Sequence, residues 1–115
     1  MAKVTFVKRA QTVAVSVMDE AIELPVLQSN LLVCYDRITA QDATNDVTRV
    51  EIGLRSGASE YILDGRAAPG VGVPFSVAGK VFANGLYRPF ARFVGATAGD
   101  QLSLAAFGYI TDNPE

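Results

Sequence analysis

Residues 47–55, Val-Thr-Arg-Val-Glu-Ile-Gly-Leu-Arg, alternate between two faces, and that alternation constrains the fold of the whole chain. Thr48, Val50, Ile52 and Leu54 point one way; Val47, Arg49, Glu51, Gly53 and Arg55 point the other. Successive side chains of a strand face opposite sides, so a period of two with charge on one side reads as half-buried antiparallel sheet. A strand of this kind needs partners on both edges and a second layer over its apolar face. The rest of the chain supplies them: Val, Thr, Phe and Tyr recur throughout, and Gly, Asn, Asp and Pro punctuate at short intervals.

Val4, Phe6 and Lys8 alternate with Thr5 and Val7, and Val13, Val15 and Val17 alternate with Thr12, Ala14 and Ser16. These are two strands, or one long arm bent near residues 9–11. Asp19 to Leu24 is the one stretch with a helical turn in it, Asp19 serving as N-cap and Pro25 disfavouring helix at Leu24. Leu31 to Ile38 is the next strand, and Gln41 to Asp46 a polar loop. Ser56-Gly57-Ala58 turns the chain into a strand over Ser59–Leu63, giving a hairpin.

Gly65 to Pro74 is a loop of consecutive Gly and Pro turns. Asn84-Gly85 between Lys80–Ala83 and Leu86–Arg88 is a strong hairpin signal, because both residues tolerate the positive φ of a type I′ turn. Tyr87 to Val94 continues as a strand. Pro89 cannot donate to a ladder, which places that strand at an edge or on a bulge. After a turn at residues 95–100 comes the last strand, Gln101 to Ile110, apolar on both faces as in a central or partner-covered strand. The sum is an all-β chain, an antiparallel β-sandwich of about eight strands in a jelly-roll-like arrangement. A seven-stranded immunoglobulin-like sandwich is the alternative, without the Trp and paired Cys of antibody domains.

A length of 115 residues fits a single domain over 1–115. Residues 1–18 are either its first strands or an arm that adds a strand to a neighbour. Half of the residues are apolar and only 19% are charged, against the usual ~25%. With Gly counted and Tyr left out the apolar share is about 55%, above the usual ~45–50%, and that excess goes either into a core of small residues or to an interface between subunits. Net charge is −2 and the lysines, Lys3, Lys8 and Lys80, are not massed, so no basic stripe for nucleic acid is present. Cys34, the one cysteine, has no partner for an internal disulfide and reads as a buried small hydrophobe. Neither a secretory apolar run nor a span of ~18 apolar residues occurs, and synthesis in the cytoplasm is expected.

Histidine is absent, which removes Ser-His-Asp triads, Cys-His dyads and most zinc sites together. Gly70-Val71-Gly72 leads to Pro74 and not to a helix, so it is no dinucleotide fingerprint. Asp36, Glu51, Glu60 and Asp64 are the carboxylates left for acid–base work, but Glu51 beside Arg49 reads as a surface ion pair, and the sequence has no Trp for a sugar cleft. Asp42, Asn45 and Asp46 lack EF-hand spacing and read as a solvated turn rather than a calcium loop. A non-enzyme without cofactor or metal is expected. The residues singled out for partner contact are Tyr87, Arg88, Phe90 and Arg92. Arg88 and Arg92 share a strand face with Phe90 between them, as a clamp for an acidic surface or as a charged edge that resists aggregation.

Three segments resemble small structural proteins of tailed bacteriophage particles: Val-Thr-Arg-Val-Glu-Ile-Gly-Leu-Arg-Ser-Gly at 47–57, Pro-Phe-Ala-Arg-Phe-Val-Gly-Ala-Thr-Ala-Gly-Asp at 89–100 and Gln-Leu-Ser-Leu-Ala-Ala-Phe-Gly-Tyr at 101–109. The resemblance implies a β-sandwich that decorates a capsid or sits at the head–tail junction. It also implies a place in the virion, assembly in the host cytoplasm, contact with capsid or connector subunits, and homo-oligomerisation. It carries over no functional residue, and neither nucleic acid nor membrane is an expected partner. The alternative is a free-standing module for carbohydrate or another small ligand on a jelly-roll scaffold, with Tyr61, Tyr87 and Tyr109 as stacking platforms.

Overall fold

The structure, a computed structural model, describes residues 3–13, 20–25, 31–84 and 86–112. Among these it has eight strands: β1 (Lys3–Val13), β2 (Glu20–Glu23), β3 (Leu31–Asp42), β4 (Arg49–Ser56), β5 (Ser59–Ala67), β6 (Phe75–Asn84), β7 (Arg88–Val94) and β8 (Gln101–Asp112). They form two four-stranded sheets with orders β1-β8-β3-β6 and β2-β7-β4-β5, every pairing antiparallel. Two facing sheets in this order are a jelly roll.

The inner faces meet in one core. Val33, Tyr35, Ile38, Ala40, Phe75, Leu102, Leu104 and Ala106 come from the first sheet; Ile22, Val50, Ile52, Leu54, Ala91 and Phe93 come from the second. Each such aliphatic or aromatic side chain contributes roughly 1.5–3 kcal/mol when fully buried. Burial pushes the Tyr35 hydroxyl up to about 12.

β3 changes phase within its length. Val33 and Tyr35 face the core, and so do Ile38 and Ala40; the extra residue at Asp36 is a bulge against both β6 and β8. Without it Arg37 and Thr39 would turn inward. Gly108, opposite Tyr35, lies beneath this bulge, where a Cβ would collide with the Cys34 carbonyl oxygen and reach Tyr35 Cα at 3.0 Å.

Several expectations change. Residues 20–23 form a strand, not a helical turn: β2 pairs with β7, and Ile22 and Leu24 enter the core two residues apart. The expected N-cap Asp19 lies outside the described residues, as does most of the expected strand over residues 13–17. β1 runs unbroken through residues 9–11 and pairs along its length with β8. Val47 precedes β4 and is buried in the core rather than facing out.

Asn84-Gly85 is not a hairpin. A turn does form, with Tyr87 N donating to Asn84 O at 2.9 Å and Leu86 N to Asn84 Oδ1 at 2.8 Å. It carries the chain from one sheet to the other, because β6 and β7 belong to different sheets. The turn at 95–100 does the same between β7 and β8. Among the described residues only β4 and β5 are joined as a hairpin, closed by Gly57 at φ 58°. Nor does Pro89 put β7 at an edge, since β7 lies between β2 and β4. The Pro89 carbonyl accepts from Leu24 N at 3.0 Å, so its nitrogen faces the same side, where the β2 ladder has already ended at Glu23. β8 is interior, as its two apolar faces suggest.

Gly108→Ala should cost about 3 kcal/mol, the upper range for overpacking, because the collision is with backbone. Gly57→Asn, in an open turn that Asn tolerates, should change stability by less than about 0.5–1 kcal/mol. Urea unfolding of the two variants checks the contrast.

Candidate functional site

The outer face of the second sheet gathers the charges that alternate along its strands. One unbroken chain of ion pairs crosses it. Arg88 Nη1 meets Glu23 Oε2 at 3.1 Å, and Glu23 Oε1 meets Arg55 Nη1 at 3.0 Å. Arg55 Nη2 meets Glu60 Oε2 at 2.8 Å, and that oxygen meets Arg92 Nη2 at 2.9 Å. Arg92 Nη1 reaches Glu51 Oε1 at 3.9 Å, and Glu51 Oε2 takes Arg49 Nε at 3.1 Å. Four arginines and three glutamates from β2, β7, β4 and β5 thus alternate in sign across all four strands.

Beneath the network lies Phe90. Its neighbours Ala91 and Phe93 belong to the core, whereas Phe90 is on the outward face and yet 0% exposed. The guanidinium of Arg55 sits 4.5 Å from the ring centroid and that of Arg92 5.3 Å, so the two cover the ring as cation–π partners. Gly53, opposite Phe90 on β4, leaves room for the ring: a Cβ there would reach Phe90 Cε1 at 3.0 Å and collide with the Tyr61 carbonyl.

Magnitudes decide what this face does. Exposed or half-exposed ion pairs contribute ~0.2–1 kcal/mol each. Burying an aromatic ring contributes roughly 1.5–3 kcal/mol. The network therefore acts chiefly as a roof that keeps Phe90 dry and fixes the register of four strands. Arg92 and Arg55 hold the Glu60 carboxyl below the usual glutamate range, the hydrogen bond from Arg92 being the largest cause. A lowered folded-state pKa gives stability that is complete above the ordinary glutamate value and is lost as pH falls through the lowered one.

The structure divides the residues expected to touch a partner. Arg88, Phe90 and Arg92 come together, but as members of this internal roof. Tyr87 is elsewhere. Just before β7 it turns toward the open side between β5 and β6, its ring 5.8 Å from that of Tyr61. The two tyrosines, with Leu54, Phe82, Ala83 and Asn84, line a groove of about 320 Å³. Tyr61 is 56% exposed and Phe82 55%, and Ile62 and Leu86 nearby in sequence are 46% and 47% exposed. The phase of β6 turns Phe82 outward, with Val81 and Ala83 packed against the core, and no signal in the sequence fixes that phase. Tyr109 lies apart from this groove, in register with Cys34 on the first sheet. Cys34 is fully buried there.

The remaining carboxylates fall in separate places. Asp36 is at the β3 bulge, and Glu51 and Glu60 are in the ion-pair chain. Asp64 bonds its neighbour Gly65 N at 2.8 Å. Among the described residues no group of three or more metal-ligating side chains occurs, and no helix is long and apolar enough to cross a membrane.

Arg55→Ala should cost about 2 kcal/mol, since it opens two ion pairs and uncovers Phe90. Arg49→Ala, at the end of the chain of pairs, should stay within about 0.5 kcal/mol. Glu60→Gln should flatten the acid side of the stability profile. Thermal melts between neutral and acidic pH measure all three.

No protein-family model matches this sequence, and the comparison with curated proteins gives no match. Solved structures do. A chain from the acidic stable capsid structure of Helicobacter pylori bacteriophage KHP30 has a TM-score of 0.66 at 15% identity, over 96% of this chain and 92% of that one. The PRD1 vertex protein P5 has a TM-score of 0.47 at 10% identity, covering 91% and 97%. A CBM4 structure has a TM-score of 0.38 at 14% identity, covering 90% and 82%. The first of these likenesses establishes a shared fold from end to end.

Proposed function

We propose that this chain is a non-enzymatic structural protein of a virus particle, a subunit that works by binding its neighbours in the shell as a decoration, cement or accessory protein. The observation that carries the proposal is the end-to-end fold likeness to a chain of a phage capsid, in which neither chain has a large part left over. A fold is shared by proteins of many functions, so the surface has to support the role as well. It does so at the side between β5 and β6. Tyr61 and Phe82 expose large aromatic side chains there, in a groove lined also by Tyr87 and Leu54, and Leu86 is exposed in the turn that follows β6. Aromatic side chains in such a patch are the usual anchors of protein–protein contact. A neighbouring subunit is the occupant proposed for this side.

A second reading keeps the groove and changes the occupant. The tilted Tyr61–Tyr87 pair is an aromatic platform of the kind that also stacks on sugars. A glycan array separates the two, since a sugar-binding module gives hits with the isolated chain and a shell subunit does not.

The decisive test is to purify particles made with the chain present, detect it by mass spectrometry, and repeat with Phe82→Glu and Tyr61→Glu. Both side chains are more than half exposed, so the variants should fold with little change in thermal midpoint. Loss of one anchor costs at least ~2 kcal/mol, so occupancy at limiting concentration should drop about thirtyfold. Absence of the wild-type chain from particles would overturn the proposal, and undiminished incorporation of both variants would move the contact elsewhere on the surface.

A further inference from the structure

Three loops meet at the end of the sandwich where β3 stops and β8 begins, and two carboxyl groups are buried between them. Asp42, the last residue of β3, is 5% exposed, and Asp100, the last residue before β8, is 0% exposed. Asp42 Oδ1 accepts from Thr44 N at 2.9 Å and Asn45 N at 3.1 Å. Asp100 Oδ2 accepts from Thr97 N at 3.0 Å, and Asp100 Oδ1 accepts from Asn45 Nδ2 at 2.6 Å. The fourth oxygen, Asp42 Oδ2, is buried and receives no N–H. Asn45 holds the two carboxyl groups side by side, its N donating to Asp42 and its Nδ2 donating to Asp100.

Two facing buried carboxylates require a counter-charge. Among the described residues no ion pair reaches either one. Asp46, the other titratable group in the three loops, is turned to Val47 N and Gly70 N at 2.9 Å each. The loop over residues 68–74, joined to the site where Gly72 N donates to Asp42 O, carries no charge. At the adjoining strand ends Arg49 pairs with Glu51 and Arg66 lies over the Phe75 ring. Calcium takes about six to eight oxygen ligands. Here three of the four carboxylate oxygens are already occupied by N–H donors, and one place remains.

We propose that this place holds a proton, and that Asp42 and Asp100 form a proton-shared latch tying the β3–β4 loop to the β7–β8 loop. Protonated Asp42 donates through Oδ2 to ionised Asp100. Burial first, and then the contact with Asp100, raise the Asp42 pKa; the hydrogen bonds from the Asp42 carboxyl, Asn45 and Thr97 lower that of Asp100 against its own burial. The signs follow. The raised group supports the fold below its ordinary pKa, and that support is lost as pH rises through the raised value. The lowered group supports the fold above its ordinary pKa, and that support is lost as pH falls through the lowered value. The latch is closed between the two, about the ordinary aspartate range, and loosens on both sides.

Carboxyl ¹³C shifts of the native chain, followed against pH, should show the two side chains titrating as one coupled pair, split above and below the ordinary aspartate range. Asp42→Asn supplies a permanent donor in place of the proton. In that variant hydrogen exchange at Thr44, Asn45 and Thr97 should stop depending on Asp42 ionisation, whereas in the native chain the excess opening grows up to tenfold per pH unit between the ordinary and raised pKa values. Two independent, ordinary titrations would overturn the latch, as would an unchanged exchange profile in Asp42→Asn. A rise in the thermal midpoint of the native chain on adding calcium at neutral pH, absent in Asp42→Asn, would overturn it too by showing that the counter-charge is a cation.

Discussion

The two apolar faces that meet across the sandwich are the contact on which everything else depends, and the phase of each strand decides which residues reach them. A single slip in phase exchanges the buried set for the exposed set. β3 shows how strict this is. Its core-facing residues are the odd-numbered Val33 and Tyr35 and then the even-numbered Ile38 and Ala40, and the bulge at Asp36 reconciles the two halves. β8 keeps one phase from Leu102 to Gly108 and so cannot bulge with it. The mismatch is absorbed where Gly108 lets the bulged backbone of β3 come close.

The second sheet solves a different problem. Its outer face carries a phenylalanine that alternation puts on the solvent side. Phe90 is nonetheless dry, because Gly53 recesses it and two guanidinium groups close over it. Arginine suits this task through its flat, weakly hydrated head, which stacks on a ring while its edge hydrogen-bonds outward. The glutamates Glu23, Glu51 and Glu60 then hold those heads in place. The result is one buried ring on the far side of the sheet from the core, capped by charge.

Much of the fold is legible in the sequence because strand formation is local. The alternation of residues 47–55 gives β4 and its charged face, and Ser56-Gly57-Ala58 gives the β4–β5 hairpin. Pairing is not local. β1 binds β8, β2 binds β7 and β3 binds both β6 and β8, so the partners of most strands lie far along the chain. Asn84-Gly85 has the chemistry of a turn, and a turn is what forms; whether it closes a hairpin or carries the chain between sheets depends on sheet order, which no dipeptide encodes. Pro89 misled for a related reason. The rule against proline in interior strands concerns one missing N–H, and β7 places that gap where its neighbour β2 has already ended. The short strand β2 was hidden because Glu20–Glu23 suits a helical turn locally, and only the core contacts of Ile22 and Leu24 select the extended form. Charge and aromaticity single out Arg88, Phe90 and Arg92 in the sequence, but not that Arg88 and Arg92 pair with glutamates of three other strands or that Arg55 and Arg92 cover Phe90.

That self-satisfaction moves the search for a partner surface. A face whose four arginines are each paired with a glutamate offers a partner less electrostatic gain, since a new contact competes with the pairs already made. The side between β5 and β6 has no such cost. Its exposed apolar groups are solvated in the isolated chain and gain by being covered, and they stand on β5 and β6, edge strands of the two sheets among the described residues. The charges on β5 guard that edge against indiscriminate pairing: Glu60 and Asp64 flank Tyr61 and Ile62, and a bulge at Leu63 breaks the ladder register. An edge that is apolar enough to bind and irregular enough to refuse a generic strand favours a shaped neighbour. In a shell, where each subunit meets the same neighbour at every equivalent position, that selectivity is what a repeating contact requires.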